Sequence, residues 1–462
     1  MRSTCHAAQN DGLGGIRPPG AGSWLILWLL AAPVLAGEER PQGSSGMGTA
    51  PSAIAEATAD GLIASPDHAS GGAPAWPQWR GPRRDGISRE TGLLPSWPEG
   101  GPRLLWKVDG LGTGWSSPIV VDRRLYLTGD VGDDLLIFAF DSDGAPLWRT
   151  KNGRAWKGPY PGARACCAFS KGRLYHMNAH GRVACLDATS GNELWAVDIL
   201  DRFDASNITW ALSECLLVDG PRVIVTPGGR KALMAALDTQ TGQPVWTTEP
   251  LGADRTSHCS PILLRYAGRR LIVNCSSAHG FGVDADTGEL LWTVPLRNEF
   301  GVNVATPVYG SGSVFFVTPY AEHGRLYRLR ASAQGIAAEH VWTCPLDTVT
   351  GGAVLLGGTL FAAGYKRSKW WFGIDWRTGR TLCQLKGLTT GAAIYADGRL
   401  YVLDESGTVG LLKPGPGTLE IVSRFRLSAQ PLHDAWAHPV LCNGRLYLRY
   451  HGTLWCYDVK QR

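Results

Sequence analysis

Methionine is scarce in this chain, 4 residues in 462, and charge is thin, with 18% Asp, Glu, Lys and Arg. The formal net charge of +5 is spread along the length, and no run of Lys or Arg interleaved with aromatics occurs. That pattern excludes the basic footprint expected of a nucleic-acid or acidic-membrane binder. The phosphate loop, the Gly-x-Ser-x-Gly elbow and the His-Glu-x-x-His zinc motif are all missing, so nucleotide and hydrolase chemistry have nothing to rest on. The 11 cysteines contain no Cys-x-x-Cys, no haem-attachment motif and no zinc spacing. Asp141-Ser142-Asp143-Gly144 and Asp284-Ala285-Asp286-Thr287-Gly288 stop short of a calcium loop, lacking the later bidentate Glu, and are read as turn caps.

No apolar run reaches the about 20 residues that a bilayer span takes. The longest begins Trp24-Leu25-Ile26-Leu27-Trp28-Leu29-Leu30 behind Arg2 and Arg17, and ends in Val34-Leu35-Ala36. This predicts a secretory signal over residues 1–36, an exported chain that is periplasmic or extracellular, and no transmembrane helix in the mature protein. Position 37 is Gly, not Cys, so lipid attachment is not indicated. Residues 37–75, rich in Ala, Gly, Ser and Pro, read as a disordered linker. Residues 76–462 remain as one domain.

What the chain has in abundance is glycine, 59 residues, and tryptophan, 19, set in a repeated text. Ala236-Leu237-Asp238-Thr239-Gln240-Thr241-Gly242 leading to Trp246 returns as Leu186-Asp187, Ser190-Gly191 and Trp195, as Asp284, Thr287-Gly288 and Trp292, and as Asp141, Gly144 and Trp148. The Asp carboxylate accepts turn amides, the Gly supplies a positive φ, and a strand leaves toward Trp. Aligned on the Trp, eight slots appear: Trp106, Trp148, Trp195, Trp246, Trp292, Trp342, Cys383 and Phe425. Their spacing of roughly 40 to 50 residues is that of a β-propeller blade of four antiparallel strands. The slot side chains are expected to dock blade on blade rather than to stack on sugars. In Lys369-Trp370-Trp371-Phe372 adjacent aromatics must split between two faces, so one is expected to be exposed.

Three strands follow Phe425, near 438–442, 445–450 and 453–459, while Leu104-Leu105-Trp106-Lys107-Val108 precedes any first strand. Joining them closes an all-β, eight-bladed ring with no open edge. Trp76-Pro77-Gln78-Trp79-Arg80-Gly81 is read as a clip lying on the ring's surface.

In a propeller, the loop from the outer strand of one blade to the inner strand of the next opens on one face of the central channel. The residues just before each inner strand give a candidate binding rim of Trp115, Arg164, Trp210, Glu214, His258, Asn303, Thr350, Trp436 and His438. Glu214 is the candidate base if the rim is catalytic. No metal site is predicted.

The clip, Gly101-Pro102-Arg103-Leu104-Leu105-Trp106, and the repeated Leu-Asp-x-x-Thr-Gly-x-x-x-Trp resemble the exported bacterial PQQ-like β-propeller repeat proteins, over about residues 76–460. Those repeats are related to the propellers of pyrroloquinoline-quinone (PQQ) dehydrogenases and of the outer-membrane assembly factor BamB. The resemblance implies the fold and three functional readings. The favoured one is a non-enzymatic binding or scaffold protein of the cell envelope, with an envelope protein or a small polar ligand as partner, no nucleic acid, and no cofactor. The second is a quinone-dependent alcohol or sugar dehydrogenase with PQQ and calcium. The third is an assembly factor similar to BamB. Quinone oxidation needs oxygen ligands for calcium, a carboxylate base and cations for the cofactor's carboxylates, and on the rim only Glu214, Asn303 and Arg164, with nearby Asp434, are of those types. Cys166-Cys167 invites comparison with the capping disulfide of such dehydrogenases, but it sits too near Lys171-Gly172-Arg173 and is read as two packed thiols in the inner strand. Cys259 and Cys275 are candidates to pair; Cys185, Cys383 and Cys456 are read as buried structural thiols.

Overall fold

The computed structural model describes residues 61–64, 74–320, 323–430 and 432–462. The segment read as a secretory signal and most of the stretch read as a linker lie outside the described residues. Within them, thirty-two strands form eight four-stranded antiparallel sheets, and the α-helix is a single turn, α1 (Ile199–Arg202), capped by Asp198. This is the eight-bladed ring that the repeat predicts. Blades 1 to 7 are continuous in sequence, spanning 119–154, 168–198, 217–247, 262–295, 308–344, 354–385 and 391–426.

Blade 8 is shared by the two ends. β30 (Val440–Cys442), β31 (Arg445–Tyr450) and β32 (Thr453–Asp458) are completed by β1 (Arg103–Val108), which pairs Arg103 with Asp458, Trp106 with Cys456 and Val108 with Leu454. Every residue of β32's middle, Leu454 to Tyr457, is thereby covered.

Burial follows position in the blade. The second strand of blade 5, β19 (Ser313–Val317), is buried throughout, whereas the outer strand of blade 2, β9 (Glu193–Asp198), has no buried residue. Inner strands have a neighbouring blade on both faces and therefore read as continuous apolar runs; outer strands have one wet face and alternate.

The repeated turn behaves as its sequence predicts. Asp238 Oδ1 accepts from the N–H groups of Gln240 and Thr241 at 2.9 and 2.8 Å, and Asp187 and Asp284 do the same in their blades. The glycine has a second duty. Beyond its φ of 70°, a Cβ at Gly242 would stand 2.7 Å from the Trp195 ring of the preceding blade. Gly191 meets Trp148, Gly288 meets Trp246 and Gly379 meets Trp342 in the same way. The indole then donates to a carbonyl of that next turn: Trp195 to Thr239 O at 3.0 Å, Trp246 to Ala285 O at 3.2 Å and Trp342 to Trp376 O at 2.9 Å. Trp292 breaks the series. Blade 5 replaces the Asp-x-x-Thr-Gly turn by the long hairpin of β20 (Gly324–Ser332) and β21 (Gly335–Cys344), and the buried Trp292 N–H has no hydrogen-bond partner.

The clip is not on the surface. Trp76 bridges Val120 of blade 1, Pro77 O accepts from Phe169 N of blade 2, Arg84 donates to Cys215 O and Leu216 O beside blade 3, and Ile87 bridges Tyr395 of blade 7. Trp79 Nε1 donates to Thr306 Oγ1 at 2.9 Å and Arg80 Nη2 to Ala353 O at 2.5 Å, which adds the approaches to blades 5 and 6. A segment that touches so many blades crosses the middle of the ring. It plugs the channel, with Arg80 and Arg84 3% and 2% exposed. A second departure is in the stretch read as linker: Leu62 bridges Leu264, and Ile63 N donates to Leu263 O in blade 4 at 3.0 Å.

Of the aromatic run, Trp370 is 37% exposed and Trp371 is buried, so the expected split between faces holds.

Candidate functional site

Above the plug lies a cavity of about 330 Å³. Seven of the nine predicted rim residues line it: Trp115, Arg164, Trp210, His258, Thr350, Trp436 and His438. Each comes from a loop entering a blade's first strand, as the propeller topology dictates.

Two do not line it. Glu214 turns into blade 3, where its carboxylate accepts from Thr226 N at 2.9 Å, Thr226 Oγ1 at 2.7 Å and Asn274 Nδ2 at 3.3 Å. Burial pushes this carboxyl up to about 7 against the pull of those donors. Asn303 is fully buried and ties loops together, donating to Ser276 O at 2.8 Å and Leu296 O at 3.2 Å. Both are polar residues at the right sequence offset whose hydrogen bonds are used up inside the fold.

The cavity floor comes from the clip, which supplies Trp79 and Arg80. The Trp79 ring packs 4.3 Å from that of His438. His438 Nε2 lies 2.8 Å from Thr350 O, so that nitrogen carries the proton and Nδ1 is left as an acceptor, buried and without a partner. Burial, aided by Arg80, holds the His438 pKa down at about 3, which keeps the ring neutral. Arg80 Nη1 is likewise buried without a partner. Both groups border Gly352, where a Cβ would stand 2.7 Å from Arg80 Nη1 and 3.7 Å from His438 Cε1. An arginine and a histidine that each keep one unpaired nitrogen thus flank Gly352 in the floor.

The walls are aromatic. Trp115 packs 5.2 Å from Trp436, which packs 5.6 Å from Tyr160. In the same lining, Phe300 lies edge-on to Trp210 and to Tyr320, and Tyr320 to Tyr365. Arg164 is stacked over Trp115 at 5.3 Å and Trp156 at 5.7 Å, with Nη2 donating to Pro159 O and Tyr160 O. Burial lowers its pKa to about 10, so it stays charged near neutrality. His258, its Nδ1 3.1 Å from Ser213 Oγ, is pushed down to about 4 by burial.

Sequence reasoning missed Trp79 and Arg80 because the clip was placed outside the ring. It also missed Tyr320 and Tyr365, which sit in loops between second and third strands. Those loops open on the same face as the ones searched, and that rule would have found them.

No Asp or Glu among the described residues lines the cavity. Among the described residues there is no group of three or more His, Cys, Asp or Glu able to hold a metal ion. Calcium requires several oxygen ligands with carboxylate charge among them, and the donor set here, hydroxyls, indoles and imidazoles, does not fit it. Cys166 and Cys167 are free, buried and just ahead of the inner strand β6 (Ala168–Ser170) rather than in it; neither lines the cavity. Cys259 and Cys275 are also free thiols.

Fold and repeat together define a PQQ-like β-propeller, here with a channel closed by its own N-terminal clip. The chain belongs to the family described as outer membrane protein assembly factor BamB, whose profile matches residues 133–382, more than half of the sequence. It is similar to the BamB of Yersinia pestis, 23% identical over 318 residues that cover 65% of this chain and 74% of that one. It is also similar to the 1-butanol dehydrogenase (quinone) of Thauera butanivorans, 30% identical over 146 residues, which cover 29% of this chain and 23% of that protein. The crystal structure of BamB from Moraxella catarrhalis superposes with a TM-score of 0.57 at 15% identity, covering 77% of this chain and 99% of that chain, a likeness of fold alone. No helix among the described residues is long and apolar enough to cross a membrane.

Proposed function

We propose that this protein is an exported, non-enzymatic binding or scaffold propeller of the cell envelope, and that its ligand enters the cavity above the plug. The observation that carries this reading is the floor, where buried Arg80 Nη1 and His438 Nδ1 lack partners beneath aromatic walls. A buried unpaired polar group costs about 1–3 kcal/mol, and a ligand whose entry shifts the floor side chains enough to reach Arg80 Nη1 and His438 Nδ1, both closed to water here, recovers it. The complementary ligand is planar, with an acceptor for Arg80 beside a donor for neutral His438. A partner protein presenting such a group from a loop would satisfy the same floor, which is the form the reading takes for an assembly role like that in the name of the Yersinia relative.

The dehydrogenase reading draws on the likeness to the butanol dehydrogenase over part of the chain. Against it stand Glu214, engaged by Thr226 and Asn274, and a lining that holds no carboxylate among the described residues.

The test uses melting temperature and indole fluorescence with salicylate, orotate and PQQ, the last with and without calcium, followed by dye reduction with alcohols and sugars. Salicylate or orotate should raise the melting temperature, since a ligand bound only by the folded state stabilises it. Trp436→Ala, at the mouth, should weaken that gain. Dye reduction should stay at background. Turnover that Glu214→Gln abolishes in a folded variant overturns the reading in favour of the enzyme. A melting temperature unmoved by every probe overturns the assignment of the cavity.

A further inference from the structure

The cavity floor also holds a nucleophile that the binding reading does not use. Cys215 lines the cavity, and its surroundings favour a thiolate. The Cys166 backbone N–H donates to Cys215 Sγ at 3.2 Å. The Arg84 guanidinium is anchored beside it through Nη1 to Leu216 O at 3.0 Å and Nη2 to Cys215 O at 2.6 Å, with Nε buried and unpartnered. The Ser260 hydroxyl, which accepts from Cys215 N at 3.0 Å, also contacts the thiol.

Burial alone would raise the Cys215 thiol, but the Cys166 thiol and N–H, Arg84 and Ser260 outweigh it and bring it below the usual range. Cys166, in contact with that sulfur, is pushed well above it, by burial first and by Cys215 second. A thiolate beside a thiol is the arrangement of an attacking and a resolving cysteine. Cys166 precedes the first strand of blade 2 and Cys215 that of blade 3, β10 (Leu217–Asp219), so a bond between them would staple two blades beneath the cavity. Cys259 and Cys275 also touch, yet neither lines the cavity.

We propose that Cys215 is a redox-active nucleophile, reached through the cavity by small disulfides, with Cys166 as its resolving thiol. The Cys215 thiolate attacks one sulfur of a disulfide RSSR; the S–S bond of the reagent breaks, RS⁻ leaves, and Cys215 carries a mixed disulfide. Cys166 gives up its proton and attacks the Cys215 sulfur, the mixed disulfide breaks, and a second RS⁻ leaves. Both RS⁻ take up protons. Two protein thiols and one RSSR thus become one protein disulfide and two RSH, the protein losing two electrons and two protons that the reagent gains. An external dithiol reverses the sequence.

The experiment treats the reduced full-length chain with hydroxyethyl disulfide, then maps modified peptides by mass spectrometry after acid quench and alkylation. Wild type should yield the Cys166–Cys215 cross-link. Cys166→Ser should stop at a hydroxyethyl adduct on Cys215, Cys215→Ser should give neither product, and Cys167→Ser should behave as wild type. The rate of adduct formation in Cys166→Ser should follow a thiolate whose half-point lies below the about 8.5 of a free cysteine. Should a variant fail to fold, the order of iodoacetamide labelling in the native wild type decides, with Cys215 expected first by roughly tenfold. An adduct that forms first elsewhere, a Cys259–Cys275 cross-link in place of the expected one, or uniform slow labelling overturns the proposal.

Discussion

If the glycine of the repeated turn makes room for an indole as well as for a turn, two glycines with the same backbone angle should respond differently to one methyl group. Gly288 and Gly268 both belong to blade 4 and have φ of 79° and 78°. A Cβ at Gly268 meets nothing within 4 Å, whereas one at Gly288 stands 2.5 Å from Trp246 Cε3 and 2.8 Å from Cδ2. Gly268→Ala therefore carries the left-handed backbone cost alone, about 1 kcal/mol after the gain from a stiffer unfolded chain. Gly288→Ala carries that cost plus overpacking against a ring held between blades, about 1–3 kcal/mol more. The ring cannot retreat freely, because its N–H is bonded to Ala285 O. Urea unfolding, read as a change in midpoint at constant slope, measures both. A double-mutant cycle isolates the contact: in a Trp246→Ala background the extra cost of Gly288→Ala should vanish. Equal losses for the two glycines, or a Gly288 cost that persists without the indole, would refute the shared role.

The broken slot gives a second prediction: Trp292→Phe should cost about 1 kcal/mol less than Trp246→Phe, because only Trp246 loses a hydrogen bond, and equal costs by the same assay would contradict this. Removing residues 102–110 deletes β1 and bares the β32 edge, so the ring should lose much of its stability and self-associate in size-exclusion chromatography; unchanged unfolding would rule out closure by β1. Glu214 is raised from 4.5 to about 7, so its stabilising proton is fully present below about 4.5 and lost as pH climbs through about 7. Between pH 5.5 and 8.5 wild type should accordingly lose about 2 kcal/mol more than Glu214→Gln, the comparison cancelling every other titrating group, and parallel pH profiles would show that the carboxyl is not buried as described.

The ring was legible because each blade repeats one local solution. A capped turn, a positive φ and a slot residue, aromatic in all but Cys383, recur roughly every 40 to 50 residues, and repetition turns weak local signals into a count. Even β1, far in sequence from its partner strand, could be placed, since only one blade was short of a strand. The exceptions are where the repeat text itself fails: nothing in Trp292 betrays its unbonded N–H, because the cause is the missing turn in blade 5, some forty residues on.

The site was legible only as far as it follows from the repeat. A residue's offset from an inner strand says that its loop reaches the channel mouth, which placed Trp115, Trp436 and His438 correctly. It does not say which way the side chain turns, and Glu214 and Asn303 turn inward because Thr226, Ser276 and Leu296 offer them partners there. The clip lies outside the repeat, so no periodicity located it. Its arginines were nonetheless the strongest clue available. A pair such as Arg80 and Arg84 among turn-formers is an ordinary surface feature, but buried it must end on carbonyls or on anions. Each keeps one nitrogen without a partner, Nη1 of Arg80 and Nε of Arg84, while the other donors end on Arg84 O, Asp85 O and Ala353 O for Arg80 and on Gln78, Cys215 and Leu216 for Arg84. Of the two only Arg80 lines the cavity, and that difference separates a plug that only closes the channel from one that also makes the floor of a binding site; it arises from placement across the ring, which a linear reading of the clip does not contain.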